Sequence, residues 1–187
     1  MTRIIVGITG ASGSVYGIRL LERLRDIENV DTRLVISRAG EKTLFQETGR
    51  TLRDIKGLAG TQYSNEEIGA DIASGSFVAA AMVVAPCSIH TMSAIATGIA
   101  SNLIVRAADV TLKERRRLIL MVRETPLHLG HLRTMVALAE MGAILAPPMP
   151  AFYTHPESVD ELVDQTVARV MDLLGLPDSG AKRWKGC

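Results

Sequence analysis

The most informative segment of the chain reads Val83-Val84-Ala85-Pro86-Cys87-Ser88-Ile89-His90-Thr91. An apolar run stops at a proline, and small polar residues open the next segment. This pattern is typical of a buried strand whose carboxyl end leads into the N-terminus of a helix, where open α/β sheets bind their ligands. We therefore predict a strand at 82–86 and a ligand-binding turn directly after it.

A second turn of the same design lies near the N-terminus. The apolar run 3–8 precedes Thr9-Gly10-Ala11-Ser12-Gly13-Ser14, and the segment from Val15 to Leu24 has the spacing of a helix. Backbone N–H groups and hydroxyls at such turns can converge on an anion. The turn lacks the lysine of a Walker A loop and a full G-x-G-x-x-G pattern, so by itself it is about as consistent with a plain tight turn. Together the two turns predict a site for a phosphorylated cofactor.

Runs of strand length recur at residues 3–8, 32–36, 82–86, 117–122 and 143–146. Segments with helical spacing lie between them, which predicts a parallel sheet with helices on both faces, an α/β three-layer fold. A flavodoxin-like strand order is our first choice and a Rossmann order the second, because periodicity does not separate them. We predict one domain over 1–187, with a core at 1–175 and a polar tail at 176–187.

Three segments outside the strands carry further expectations. Residues 61–76 are polar and predict a loop or a short helix near the cofactor edge of the sheet. A buried helix is expected before Gly142, and the long helix from Val159 to Leu174 should end at Gly175. The apolar positions of the first of these helices are Leu127, Leu132, Val136, Leu138 and Ala139.

Composition excludes several classes of protein. The net charge is +1 and the basic residues are dispersed, which gives no sign of a nucleic-acid or membrane partner. Cys87 and Cys187 are poorly placed for a structural disulfide, and the chain begins directly with a strand, so we expect a reduced, cytoplasmic setting. His128 and His131 share a helix face, but no carboxylate completes a metal set, and we assign no metal.

Several candidate residues have two interpretations at this point. Ser37 follows the second strand and is either a ligand or a helix cap, while Ser88 and Thr91 would share the first turn of a helix. Arg123-Glu124 follows the strand 117–122 and is either a ligand clamp or a surface ion pair of small worth. No serine has the elbow pattern of a hydrolase.

Taken together, the motifs closely resemble the flavin prenyltransferase (UbiX) family, whose relatives include the B subunits of phenolic-acid decarboxylases. The resemblance runs nearly end to end. It is carried by Ile5-Val6-Gly7-Ile8-Thr9-Gly10-Ala11-Ser12-Gly13, Leu34-Val35-Ile36-Ser37, Ala73-Ser74-Gly75-Ser76-Phe77, Pro86-Cys87-Ser88, Arg106-Ala107-Ala108-Asp109-Val110, Leu112-Lys113-Glu114-Arg115, Arg123-Glu124, Pro126-Leu127, Pro147, Pro150, Phe152-Tyr153 and Arg183-Trp184.

The resemblance implies a flavodoxin-like fold, a homododecamer and FMN bound between subunits. Such enzymes join the dimethylallyl group of dimethylallyl phosphate to N5 and C6 of reduced FMN, and the product serves a UbiD-type decarboxylase. The residues implied for FMN are Gly10, Ala11, Ser12, Ser37, Ser88, Ile89, His90, Thr91 and Arg123. Those implied for the allylic phosphate are Arg106, Lys113, Glu124, Tyr153, Arg169 and Trp184, of which Arg106, Lys113, Glu124 and Tyr153 would be catalytic.

The chemistry of these side chains agrees with that assignment. Phosphate leaves readily only when its charge is neutralised, which arginine and lysine can do, while Tyr153 can donate a hydrogen bond and Glu124 can carry a proton. Two other functions compete with this one: a flavin-dependent cysteine decarboxylase of the same fold, and a carrier that only delivers flavin to a decarboxylase. The first would have an asparagine in the turn where this chain has His90, and the second needs no second phosphate site.

Overall fold

The computed structural model describes residues 1–176 and 179–186 of the chain, and the predicted tail residues Pro177, Asp178 and Cys187 lie outside it. The described residues form a six-stranded parallel sheet with helices on both faces. The strands are β1 (Thr2–Ile8), β2 (Val30–Ile36), β3 (Thr61–Ser64), β4 (Ala81–Cys87), β5 (Arg117–Val122) and β6 (Ile144–Leu145). The helices are α1 (Ser14–Arg25), α2 (Arg38–Thr48), α3 (Leu52–Ile55), α4 (Ile89–Thr97), α5 (Leu103–Lys113), α6 (Leu129–Glu140) and α7 (Val159–Leu174).

The strand order is β3-β2-β1-β4-β5-β6. The five strands predicted from the sequence take the flavodoxin-like order 2-1-3-4-5, which confirms the first-choice fold. The sixth strand, β3, adds to the edge beside β2, where Thr61 to Ser64 pair with Arg33 to Ile36.

The prediction of a loop or short helix over 61–76 is therefore wrong for its first four residues. Residues 65–76 match it, since they form a loop that contains one 3-10 turn at Asp71–Ala73. The sequence of this strand contains no apolar run, because the strand is short and lies at the sheet edge, where backbone pairing with β2 stabilises it.

Two apolar layers hold the sheet between the helices. On one face, strand residues such as Ile5, Met82 and Leu120 pack against α4 and α5. On the other face, residues such as Val6, Val83 and Ile119 pack against α1 and α7. Because central strands are covered on both faces, β4 is buried along its whole length, which explains its unbroken apolar run.

The helix predicted before Gly142 exists, but it is not buried. It begins at Leu129, and within it only Leu138 is buried, while Leu129, Leu132 and Val136 are 59%, 45% and 57% exposed. The apolar side chains therefore form an outward stripe on the single chain rather than part of its core.

The last helix follows its prediction from start to end. The hydroxyl of Ser158 accepts the Glu161 N–H at the N-terminus, and Gly175 ends the helix with a φ of 74°, a left-handed conformation that favours glycine. None of the described helices is long and apolar enough to cross a membrane.

Candidate functional site

A cleft of about 470 Å³ opens at the carboxyl edge of the sheet. It lies among the turns that follow β1, β2 and β4, the position at which doubly wound sheets bind ligands. Five of the predicted flavin residues line it: Gly10, Ser37, Ser88, His90 and Thr91. Six lining residues were not predicted: Arg38, Ala39, Asn65, Glu66, Asn102 and Ile104. Asn65 and Asn102 are brought there by β3 and by the start of α5, which the sequence did not reveal as neighbours.

Direct hydrogen bonds join the turn after β1, residues 9–14, which we call the first turn, to the turn after β4. The Ser88 N–H donates to Thr9 Oγ1 at 2.8 Å, and that hydroxyl donates to the Pro86 carbonyl at 2.7 Å. Ser88 Oγ accepts the Thr91 N–H at 3.3 Å and so caps α4, and it donates to Thr91 Oγ1 at 3.2 Å. Ser37 caps α2 in the same way through the Gly40 N–H at 3.0 Å. Both serines are thus caps, and both place a helix N-terminus at the cleft.

Gly10 lies where the first turn meets the start of α2. A Cβ added to it would be 2.5 Å from Ala39 Cβ and 3.3 Å from the Ala39 carbonyl carbon. No side chain fits this gap without movement of the turn or of the helix. The glycine therefore allows the close approach that shapes one wall of the cleft.

Glu47 is a residue of this region that the sequence did not indicate. Its carboxylate accepts the N–H groups of Gly13 and Ser14 at 3.0 and 2.9 Å and the Ser14 hydroxyl at 2.7 Å. Burial raises the pKa of Glu47, but the bonds from the side chains of Ser12 and Ser14 and from the two backbone groups outweigh it and lower the pKa. The anion at the N-terminus of α1 is thus the chain's own carboxylate, and a phosphate in the cleft would have to lie against α2 or α4.

Arg123 and Glu124 leave the sheet at the same edge. The Arg123 N–H donates to the Cys87 carbonyl at 3.1 Å, and its charge acts on Tyr16, whose pKa is raised by burial and lowered to a smaller extent by Arg123. Arg123 therefore lies near the first turn, as a flavin ligand would. Glu124 is exposed at the rim, and its Oε1 accepts the Thr125 N–H at 2.9 Å.

Arg106 and Lys113 lie on α5, beside the loop 73–77. Arg106 donates to the Ala73 carbonyl at 3.2 Å and pairs with Asp109 at 2.6 Å. Lys113 pairs with Glu114 at the end of the helix, next to Gly75. The two cations thus flank one loop, and Lys113 is close to the start of β5, at the amino edge of the sheet.

Tyr153, Arg169 and Trp184 gather around α7 and the C-terminal tail. The Tyr153 and Trp184 rings meet edge to face with centroids 5.7 Å apart. Arg169 pairs with Asp172 at 2.6 Å, and Asp172 also accepts two bonds from Arg183. Bonding from Arg183, with smaller help from Ser179 and Arg169, lowers the pKa of Asp172 to about 2.

One chain does not bring the predicted allylic-phosphate residues together. Arg106 and Lys113 lie on α5, which packs on one face of the sheet, while Tyr153, Arg169 and Trp184 belong to the side of α7, which packs on the other. A site that uses both groups needs more than one copy of the chain.

The described residues contain no cluster of three or more histidine, cysteine or acidic side chains suited to a metal. The His128 and His131 rings stack with centroids 3.6 Å apart, and His128 Nδ1 accepts the Gly130 N–H, so it caps α6. The cleft instead offers hydroxyls, amides and helix N-termini from its lining residues. This donor set fits the phosphate and the hydroxylated chain of a flavin mononucleotide.

Comparison with known proteins gives a consistent result. A model of the family described as Flavoprotein matches residues 1–171. The chain is 52% identical, over the full length of both proteins, to the flavin prenyltransferase UbiX of Escherichia coli K12. Two solved structures superpose with TM-scores of 0.96: a dodecameric FMN-dependent UbiX-like decarboxylase from Escherichia coli O157:H7, at 47% identity over 99% of this chain and all of that one, and AnUbiX (PadA1) in complex with FMN and dimethylallyl pyrophosphate, at 45% identity over 100% and 98%.

The cysteine decarboxylases are more distant. TvaF, the FMN-dependent cysteine decarboxylase of thioviridamide biosynthesis, is 16% identical over 90% of this chain and 99% of that one, with a TM-score of 0.64. That likeness extends to the fold alone.

Proposed function

The chain belongs to the Flavoprotein family and, within it, to the flavin prenyltransferases, and from this we propose how its residues bind FMN and the allylic substrate. The protein is an enzyme that transfers a dimethylallyl group to reduced FMN. The observation that supports our assignment of residues is the cleft at the carboxyl edge, where the turns after β1, β2 and β4 converge.

FMN would occupy that cleft, its phosphate facing the N-termini of α2 and α4 and its flavin near Arg123. The proposed flavin ligands are Gly10, Ala11, Ser12, Ser37, Ser88, Ile89, His90, Thr91 and Arg123. Helix N-termini favour the doubly charged phosphate, and hydroxyls suit the ribityl chain. Reduced FMN, when bound, supplies the nucleophilic N5 and C6 atoms.

The chain's own residues have to release the phosphate. Its bond to the allylic carbon breaks with the electron pair on oxygen, so cations that neutralise this charge lower the barrier. We assign that role to Arg106, Lys113 and Arg169, with a hydrogen bond from Tyr153 and packing by Trp184. To Glu124, which is exposed beside Arg123, we assign the holding or delivery of a proton as general acid or base.

Since α5 and α7 lie on opposite faces of the sheet, we infer that the phosphate site joins α5 of one copy to α7 of another. The outward apolar stripe of Leu129, Leu132 and Val136 on α6 supports assembly, for which we propose a homododecamer. We further propose that dimethylallyl phosphate is the donor and that a UbiD-type decarboxylase uses the product. We also propose that the protein is cytoplasmic, a reducing compartment that agrees with the free, buried thiol of Cys87.

Anaerobic incubation with reduced FMN and dimethylallyl phosphate, followed by mass spectrometry of the flavin, tests the reaction. Flavin that leaves with unchanged mass would favour a carrier over an enzyme. The composite site is tested by co-expression of Lys113→Ala with Tyr153→Phe. Each variant alone should be strongly impaired in prenyl transfer. In mixed assemblies roughly a quarter of the sites should be active, because a site that takes Lys113 from one copy and Tyr153 from another has each residue intact in about half of the random pairings.

The control is each variant co-expressed with a second tagged copy of itself, which should recover nothing. No recovery in the mixed assemblies would place both residues of a site on one chain and contradict the composite arrangement. A monomeric mass by light scattering at micromolar concentration would contradict it as well.

A further inference from the structure

The C-terminal tail, residues 179–186, has no regular secondary structure, yet α7 holds it at defined points. The attachments come from Gln165 and Asp172, which are spaced with Arg169 at i, i+4 and i+7 and therefore share one face of the helix. The opposite stripe is buried against the sheet and consists of Val163, Val167, Val170 and Leu174. One face of α7 thus belongs to the core and the other to the tail.

Gln165 bonds to both polar groups of one tail residue. The Lys182 N–H donates to Gln165 Oε1 at 2.9 Å, and Gln165 Nε2 donates to the Lys182 carbonyl at 3.0 Å. A residue of a neighbouring strand exchanges the same two bonds with its partner in an antiparallel sheet. The side-chain amide therefore takes the place of a strand and fixes the register of the tail at Lys182.

The same network reaches the proposed substrate residues. Tyr153 Oη donates to the Lys182 carbonyl at 3.3 Å and lies 3.4 Å from Gln165 Nε2. One residue further, Arg183 bonds to Asp172, and the next residue, Trp184, meets the Tyr153 ring. A slip of the tail by one residue would move Arg183 away from Asp172 and Trp184 away from Tyr153.

We propose that Gln165 is a positioning residue, which clamps the tail so that Trp184 and Tyr153 are set for the allylic phosphate. The proposal rests on the proposed function, because it takes Tyr153, Arg169 and Trp184 as substrate residues. Gln165 itself is only 6% exposed and lies beneath the tail, so it acts through them. Loss of the clamp lowers the fraction of molecules that are ready to bind substrate, which raises KM and leaves kcat at saturation unchanged.

Gln165→Leu tests this, because leucine has a similar volume but neither bond. Thr166→Val is the matched control, since Thr166 bonds to the Leu162 carbonyl inside the same helix. Trp184 is the only tryptophan of the chain, so acrylamide quenching of its fluorescence reports the tail directly. We expect KM for dimethylallyl phosphate to rise about tenfold in Gln165→Leu, as the loss of two hydrogen bonds suggests, with kcat and FMN occupancy within about twofold of wild type and quenching increased. Gln165→Glu should shift both readouts in the same direction, since a carboxylate oxygen then faces the Lys182 carbonyl.

Wild-type KM together with wild-type quenching in Gln165→Leu would overturn the proposal. A joint fall of kcat, FMN occupancy and Tm would also overturn it, because it would make Gln165 a residue of general stability. If the wild-type protein forms no prenylated flavin, the proposed function is refuted independently of Gln165. The role of Gln165 in holding the tail is then still tested by quenching: stronger quenching of Trp184 in Gln165→Leu than in Thr166→Val supports it, and equal quenching overturns it.

Discussion

Replacement of Gly10 by alanine should weaken FMN binding without disturbing the rest of the fold. The added Cβ would lie 2.5 Å from Ala39 Cβ, which is roughly 1 Å closer than ordinary van der Waals contact. The atoms it meets belong to Ala39, the second residue of α2, and cannot rotate away as a long side chain could. The strain is relieved only when the first turn and α2 move apart.

The size of the effect follows from the cost of such overpacking, which is about 1–3 kcal/mol. If the strain is relieved by opening the cleft, FMN affinity falls by roughly tenfold to a hundredfold, at 1.4 kcal/mol for each factor of ten. The global fold should persist, because the main apolar layers lie along the sheet rather than at this turn.

Isothermal titration of the flavin-free protein with FMN measures the affinity, and thermal unfolding without flavin measures the stability. Gly69→Ala is the matched control, since a Cβ there meets nothing within 4 Å and the backbone is not left-handed. If Gly10→Ala and Gly69→Ala both bind FMN as tightly as the wild type, the argument that this close approach shapes the flavin site is refuted. If both variants lose affinity to the same extent, the loss is a general effect of glycine replacement, which refutes the argument as well.

Three further expectations can be checked on the same protein. Glu124→Gln should be purified with normal FMN but make prenylated flavin more slowly by about 10²–10⁴-fold in single-turnover assays, as for loss of one acid–base group; full rates would remove that role, and loss of FMN would reassign the residue to the flavin site. Ser12→Glu should abolish FMN binding, seen as loss of flavin absorbance, because a second carboxylate beside Glu47 would repel it and displace the turn that forms one wall of the cleft. Normal occupancy would take this turn out of the site. The bonds from Asp172 to the tail should be complete above the ordinary carboxyl pKa near 3.8 and be lost as the pH falls toward about 2, because the pKa of Asp172 is lowered in the folded protein. Quenching of Trp184 should therefore stay constant from pH 8 to 5 and rise only below pH 4. A change near pH 6 would mean that another titrating group holds the tail.

Features that depend on neighbours in the chain could be predicted. The runs at 3–8, 82–86 and 117–122 are buried strands because alternation with helices covers both faces of a parallel sheet, and an unbroken apolar run is what such strands need. The end of the last helix at Gly175 is predicted in the same way, whereas for Ser37 and Ser88 the sequence leaves the choice between ligand and cap open, and the structure shows that both cap a helix. The resemblance then added the family, which the comparisons confirm at 52% identity over the whole chain.

Features that depend on contacts between residues far apart in the chain could not be predicted from the sequence. The strand Thr61–Ser64 is held by its pairing with β2, and Glu47 reaches the first turn across more than thirty residues of sequence, so neither has a local pattern. The stripe on α6 has the spacing of a core helix, because apolar periodicity does not tell whether the partner surface belongs to the same chain or to another. The separation of Lys113 from Tyr153 by the sheet, and the clamp of Gln165 on Lys182, arise in the same way: spacing along the chain determines which face of an element a residue occupies, while only the packing of the elements decides what that face meets.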